Sequence, residues 1–84
     1  MDKRKLLEKA LAESKNIRFG EMRALVEAFG FRLSRISGSH HIYVRPDVRE
    51  LVNLQEVGGE VKPYQIRQFL RLVERYNIGL GDEP

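Results

Sequence analysis

The sequence predicts one small α+β domain in the order helix, helix, strand, strand, strand, helix. Three observations carry this expectation. Apolar residues recur at spacings of three and four near both ends of the chain; apolar and polar residues alternate between Phe31 and Arg45; Gly or Pro stands at the junctions between these patterns. The expected boundaries are an additional N-terminal helix within 1–16, a core over 17–78 and a frayed end at 79–84.

From Lys3 to Ser14, the residues Leu6, Leu7, Ala10, Leu11 and Ser14 share one helical face among lysines and glutamates, and Asp2 is placed to cap the start. Ser14-Lys15-Asn16 breaks this pattern, and Ile17 to Phe19 reads as extended before Gly20. A second helix is predicted over about Glu21 to Phe29, where Met22, Leu25, Val26 and Phe29 form the stripe and Gly30 tolerates a left-handed C-terminal turn.

Phe31 to Ser37 then alternates, with Phe31, Leu33, Arg35 and Ser37 on one face. Gly38-Ser39 is a turn signal, and His40 to Arg45 continues with Ile42 and Val44 against His41, Tyr43 and Arg45, so the two segments read as a hairpin. If the two aliphatics face the helices, His41 is the more exposed of the two histidines. Pro46-Asp47 ends the hairpin, Leu51 to Val57 is branched enough for a third strand, and Gly58-Gly59 closes the sheet. Pro63 fits the first turn of a final helix whose buried stripe is Ile66, Phe69, Leu70, Val73 and Tyr76; Arg67, Arg71 and Arg75 form a solvated row on another face.

Composition removes several function classes. No apolar run approaches the roughly 20 residues of a membrane-spanning helix, and the basic start Met1 to Lys5 leads into Glu8, Lys9 and Glu13 in place of the apolar core of a secretory signal. A cytoplasmic protein is the expectation. The absence of cysteine excludes disulfides and thiolate chemistry. A net charge of +3 suits a polyanionic partner, and Arg32, Arg35, Arg45 and Arg49 face only Asp47 in the middle of the chain.

That basic stretch contains both histidines of the sequence, His40 and His41, directly after Gly38-Ser39. Histidine is the side chain able to take and return a proton near neutral pH, so the pair is the first candidate for chemistry. Adjacent strand residues point to opposite faces and no set of further ligands completes them, so neither a metal nor a cofactor is expected.

Gly30-Phe31, Arg35, Gly38-Ser39-His40, Tyr43, Pro46-Asp47 and Gly59-Glu60-Val61-Lys62-Pro63 together resemble a HicA-type toxin, the small ribonuclease of a bacterial toxin–antitoxin pair. The resemblance covers about Glu21 to Asn77. It implies a double-stranded-RNA-binding-domain-like fold, with two helices on one face of a three-stranded antiparallel sheet, to which the N-terminal helix is an addition. It further implies metal-independent cleavage of mRNA and inhibition by a HicB-type antitoxin. By position His40 is the catalytic residue it points to, with His41 second. Many relatives carry Pro-x-His at the end of the third strand, where this chain has Leu54-Gln55-Glu56.

RNA supplies its own nucleophile, the 2′-hydroxyl, so a ribonuclease needs a base, a donor for the leaving oxygen and positive charge around the phosphorane. On this reading His40 is the acid–base group, Arg35 and Arg45 contact phosphate, the Gly38 and Ser39 amides bind anionic oxygen, and Lys62 reaches a phosphate from its helix start. Tyr43 suits sheet packing and base stacking equally. The other class consistent with the residues is a non-catalytic RNA-binding or partner-binding domain that keeps the fold.

Overall fold

A computed structural model describes residues 3–12 and 17–80; Asp2, the break at Ser14-Lys15-Asn16 and the tail from Gly81 lie outside the described residues. The elements are α1 (Lys3–Leu11), α2 (Phe19–Ala28), β1 (Arg32–Ser37), β2 (His40–Arg45), β3 (Val48–Val57), β4 (Glu60–Val61) and α3 (Pro63–Arg75). The strands form one antiparallel sheet in the order β1-β2-β3-β4.

The α+β class stands, with one strand more than expected. Gly58 and Gly59 have φ of 58° and 80°, the left-handed region in which glycine carries no side-chain clash. They therefore turn the chain back so that Glu60 and Val61 pair with Val57 and Glu56, where the sequence reading ended the sheet.

Helix α2 also starts earlier than its stripe suggested. The backbone N–H of Arg18 donates to Glu21 Oε1 at 3.0 Å, which closes the first turn and draws Phe19 and Gly20 into the helix. The same carboxylate accepts from Lys9 Nζ at 3.0 and 3.2 Å, so α1 is tied to the start of α2 while Leu6 and Ala10 are buried beneath it. The Arg18 amide and then Lys9 hold the Glu21 carboxyl below its ordinary range.

Two bulges set the faces of the sheet. Leu33 pairs with Tyr43 and Arg35 with Ile42, so Ser34 is an extra residue in β1 and Leu33 and Arg35 fall on opposite faces, not on the shared face that strict alternation gave. A second irregularity lies between Tyr43 and Arg45. Tyr43 is 0% exposed and stands opposite buried Val52, while Ile42 and Val44 are only half-buried. The condition that Ile42 and Val44 face the helices is thus not met: His41 and Tyr43 face them, and His40, Ile42 and Val44 face away. Burying one tyrosine ring removes more apolar area from water than burying one aliphatic side chain, and β2 offers its larger ring to the core.

The helix side of the sheet meets α2 and α3 through Leu25, Val26, Leu54 and Ile66, with Phe69 packed edge-on to both Phe29 and Phe31 at 5.6 Å between ring centroids. The far end of α3 is anchored by Glu50: the Tyr76 hydroxyl donates to Oε1 at 2.6 Å and Arg75 Nη1 donates to Oε2 at 2.8 Å. The Tyr76 hydroxyl, then the Glu50 backbone amide and Arg75, lower the Glu50 pKa; the same bond raises that of Tyr76.

A depressed carboxylate contributes stability that is present above its unfolded pKa and is lost as pH falls through the lower folded value. Tyr76→Phe should therefore move the Glu50 titration back up toward the ordinary carboxylate range, read by carbon-13 NMR of its side-chain carboxyl, and should shrink the loss of stability in acid. An unchanged Glu50 titration would remove Tyr76 from this anchor.

Candidate functional site

The β1–β2 connection has only two residues, and Gly38 takes φ of 60°, so the turn depends on a residue that accepts the left-handed region. This short turn puts Ser37 opposite His40, and β3 puts Gln55 on the other flank of His40. His40, Ser37 and Gln55 thus form one rung of the sheet, and Arg35, Ile42 and Asn53 form the next on the same face. His40 Nδ1 lies 3.1 Å from Asn53 Oδ1. A proton on Nδ1 makes this bond and leaves the Nε2 lone pair free to act as a base.

His41 lies on the other face. Its ring packs on Phe19 at 4.5 Å between centroids with a 54° tilt, and its Nδ1 lies 3.3 Å from the Ser39 carbonyl oxygen. That oxygen also accepts from the Glu56 amide at 3.1 Å, and the Ser39 hydroxyl is 3.4 Å from Gln55 Nε2. The turn is therefore fastened to the end of β3.

The end of β3 is fastened in turn to α3. Gln65, a buried polar residue in the first turn of that helix, accepts from the Gln55 amide through Oε1 at 2.9 Å. Its position follows from Lys62, whose carbonyl accepts from the amides of Gln65 and Ile66 at 3.0 and 3.4 Å. On the other side, the Phe19 amide donates to the Gly59 carbonyl at 2.8 Å and Arg18 bridges to Glu60. One end of the molecule thus collects the Gly38-Ser39 turn, both histidines, the starts of α2 and α3, and the cations Arg18 and Lys62.

The sequence-derived candidates divide on this geometry. Arg35 is exposed on the face of His40, one rung away, within reach of a phosphate placed against the imidazole. Gly38 and Ser39 are exposed at the tip, and Lys62 is exposed beside the end of β3.

Arg45 does not join them. It stands at the far end of β2, on the order of 16 Å along the strand from His40 at the usual rise per residue. Its Nε lies 3.1 Å from Asp47 Oδ1, and its guanidinium covers Gly30, where an added Cβ would meet Nε at 3.3 Å. This is a contact that holds the α2–β1 turn.

Tyr43 likewise has no face open to a base: it is 0% exposed, its hydroxyl has no partner, and burial raises its pKa. Its place is in the core.

The sequence reading missed Asn53, Phe19 and Gln65. Asn53 had a visible signal, a polar residue in alternation with Val52 and Leu54, which puts it on the open face. Phe19 and Gln65 act through contacts between distant segments, and no local pattern encodes them. Among the described residues no group of three His, Cys, Asp or Glu side chains is placed to hold a metal, and no helix is long and apolar enough to cross a membrane.

A family model described as the HicA toxin of bacterial toxin–antitoxin matches residues 19–74, more than half of the chain. Neither the curated proteins nor the solved structures contain a match. The match begins at the first residue of α2, so α1 lies outside it.

A buried hydroxyl without a partner costs about 1–3 kcal/mol, which phenylalanine would recover. Tyr43→Phe should therefore leave stability unchanged or raise it by about 1 kcal/mol in urea denaturation, whereas Tyr43→Ala should lose about 3–5 kcal/mol. A marked loss in Tyr43→Phe would mean that the hydroxyl has a partner after all.

Proposed function

The chain belongs to the HicA toxin family of bacterial toxin–antitoxin systems, and on that premise we propose that it is a metal-independent mRNA endoribonuclease with His40 as its acid–base residue. Membership makes it the toxin of such a system, in a family of ribonucleases with an antitoxin as partner. The observation that best supports His40 is its pairing with Asn53 on the open face, beside exposed Arg35.

In this mechanism His40 Nε2 takes the proton of a ribose 2′-hydroxyl. The freed oxygen attacks the adjacent phosphorus and the 5′ oxygen leaves with a proton from solvent, which gives a 2′,3′-cyclic phosphate and a 5′-hydroxyl. Asn53 fixes the tautomer and aims the ring. Arg35 offsets the charge that builds on the phosphorane, and the Gly38 and Ser39 amides, with Lys62, hold the neighbouring phosphate. A HicB-type antitoxin that covers the open face would silence the protein by denying RNA access to His40.

His41 is the second choice, because the Ser39 carbonyl fixes its tautomer in the same way. Its ring is committed to Phe19, on the side of the sheet that meets the helices.

The test is cleavage of an mRNA by the purified protein in the presence of a chelator. His40→Ala should lose roughly 10²–10⁴-fold in rate, the range for removal of a general base, and His41→Ala far less. Full cleavage by His40→Ala would reject the assignment, and loss confined to His41→Ala would transfer the role. RNA binding without cleavage by the wild type would make the chain a binding module.

Asn53→Ala keeps the base but frees its ring, so the rate should fall, though less than in His40→Ala. A rate equal to that of the wild type would leave Asn53 without a part in the site.

A further inference from the structure

Strand β1 forms one edge of the sheet, and all six of its residues are exposed. A free edge carries unpaired backbone N–H and C=O groups that can accept another strand. The bulge at Ser34 sorts the side chains of this edge into two rows. Arg32 and Arg35 lie on the open face, opposite Val44 and Ile42, and neither has an ion pair among the described residues. Leu33 and Ile36 lie on the helix side, opposite Tyr43 and His41, and remain 42% and 56% exposed although Tyr43 beside them is fully buried.

We propose that the β1 edge receives an extended segment of a partner polypeptide that presents acidic side chains to Arg32 and Arg35 and apolar side chains to Leu33 and Ile36. The backbone edge supplies the attraction common to any strand, and the two rows supply the choice of partner. A second copy of the chain is disfavoured, because antiparallel pairing of β1 with itself brings two pairs of arginines together. RNA would use the arginines but not the free amides or the apolar row. The inference is independent of His40 and of any cleavage activity.

The experiment measures binding of the full chain to a synthetic nine-residue peptide that alternates glutamate with valine. Controls are the same peptide with lysine for glutamate and the glutamate peptide N-methylated at alternate amides. The glutamate peptide should bind at least about tenfold more tightly than either control and should slow hydrogen exchange of β1 amides. Arg32→Glu/Arg35→Glu, which changes only exposed side chains, should reverse the order of the glutamate and lysine peptides.

Equal binding of the three peptides would overturn the proposal, as would protection of amides elsewhere than in β1. Concentration-dependent protection of β1 by the protein alone would assign the edge to a second copy. Protection by an oligouridine but not by the peptide would assign it to RNA.

Discussion

The burial of Tyr43 is the constraint on which the rest of the structure depends. A strand has only two faces, so once the ring of Tyr43 is committed to the core the side chains of β2 from His40 to Val44 are placed; the irregularity after Tyr43 leaves Arg45 outside this rule. His41 must then share the helix side and find a neighbour in Phe19, and His40 must look out from the open face. The cross-strand partners follow, with Gln55 beside His40 and Asn53 beside Ile42. The chemistry proposed for the open face is thus a consequence of packing on the opposite one.

Position along the strand is fixed by a different set of contacts. The tight Gly38-Ser39 turn sets the pairing of β1 with β2, the Glu56 amide holds the Ser39 carbonyl, and buried Gln65 holds the amide of Gln55. A buried side-chain amide is costly unless it is bonded, which makes the Gln65 contact selective for one placement of α3 against β3. The start of α2 is held as firmly, by the Arg18 amide and Lys9 on Glu21 and by the Phe19 amide on Gly59. Apart from the local Arg18–Glu21 bond, these contacts join separate segments of the chain and meet at the end of the molecule that carries both histidines.

Much of this was legible in the sequence because periodicity is a local property. The stripes of all three helices, the hairpin around Gly38-Ser39 and the helix start at Pro63 are written in neighbouring residues. The orientation of β2 is not legible because His40, Ile42 and Val44 alternate with His41 and Tyr43 and alternation alone does not say which set is buried; burial of the large ring decides it. Bulges are equally hidden. Nothing in Leu33-Ser34-Arg35 announces an extra residue, yet it turns Leu33 to the helix side and brings Arg32 onto the face that Arg35 shares with His40. Arg45 looked like a member of the basic patch because charge is counted along the chain, whereas its guanidinium rests on Gly30 at the other end of the strand. Strand β4 has two residues, too few for any periodic signal.

The contributions of α3 carry a consequence for how the molecule comes into being on the ribosome, where a chain emerges from its N-terminus. The hairpin with both histidines is made before Pro63, but Gln65, Ile66 and Phe69 come after it. Until they emerge, the Gln55 amide lacks its acceptor and Phe29 and Phe31 lack the ring that packs against them. A nascent chain that ends before α3 therefore displays the histidines on a hairpin without its anchor. The order of synthesis delays assembly of the histidine-bearing end until the core can close.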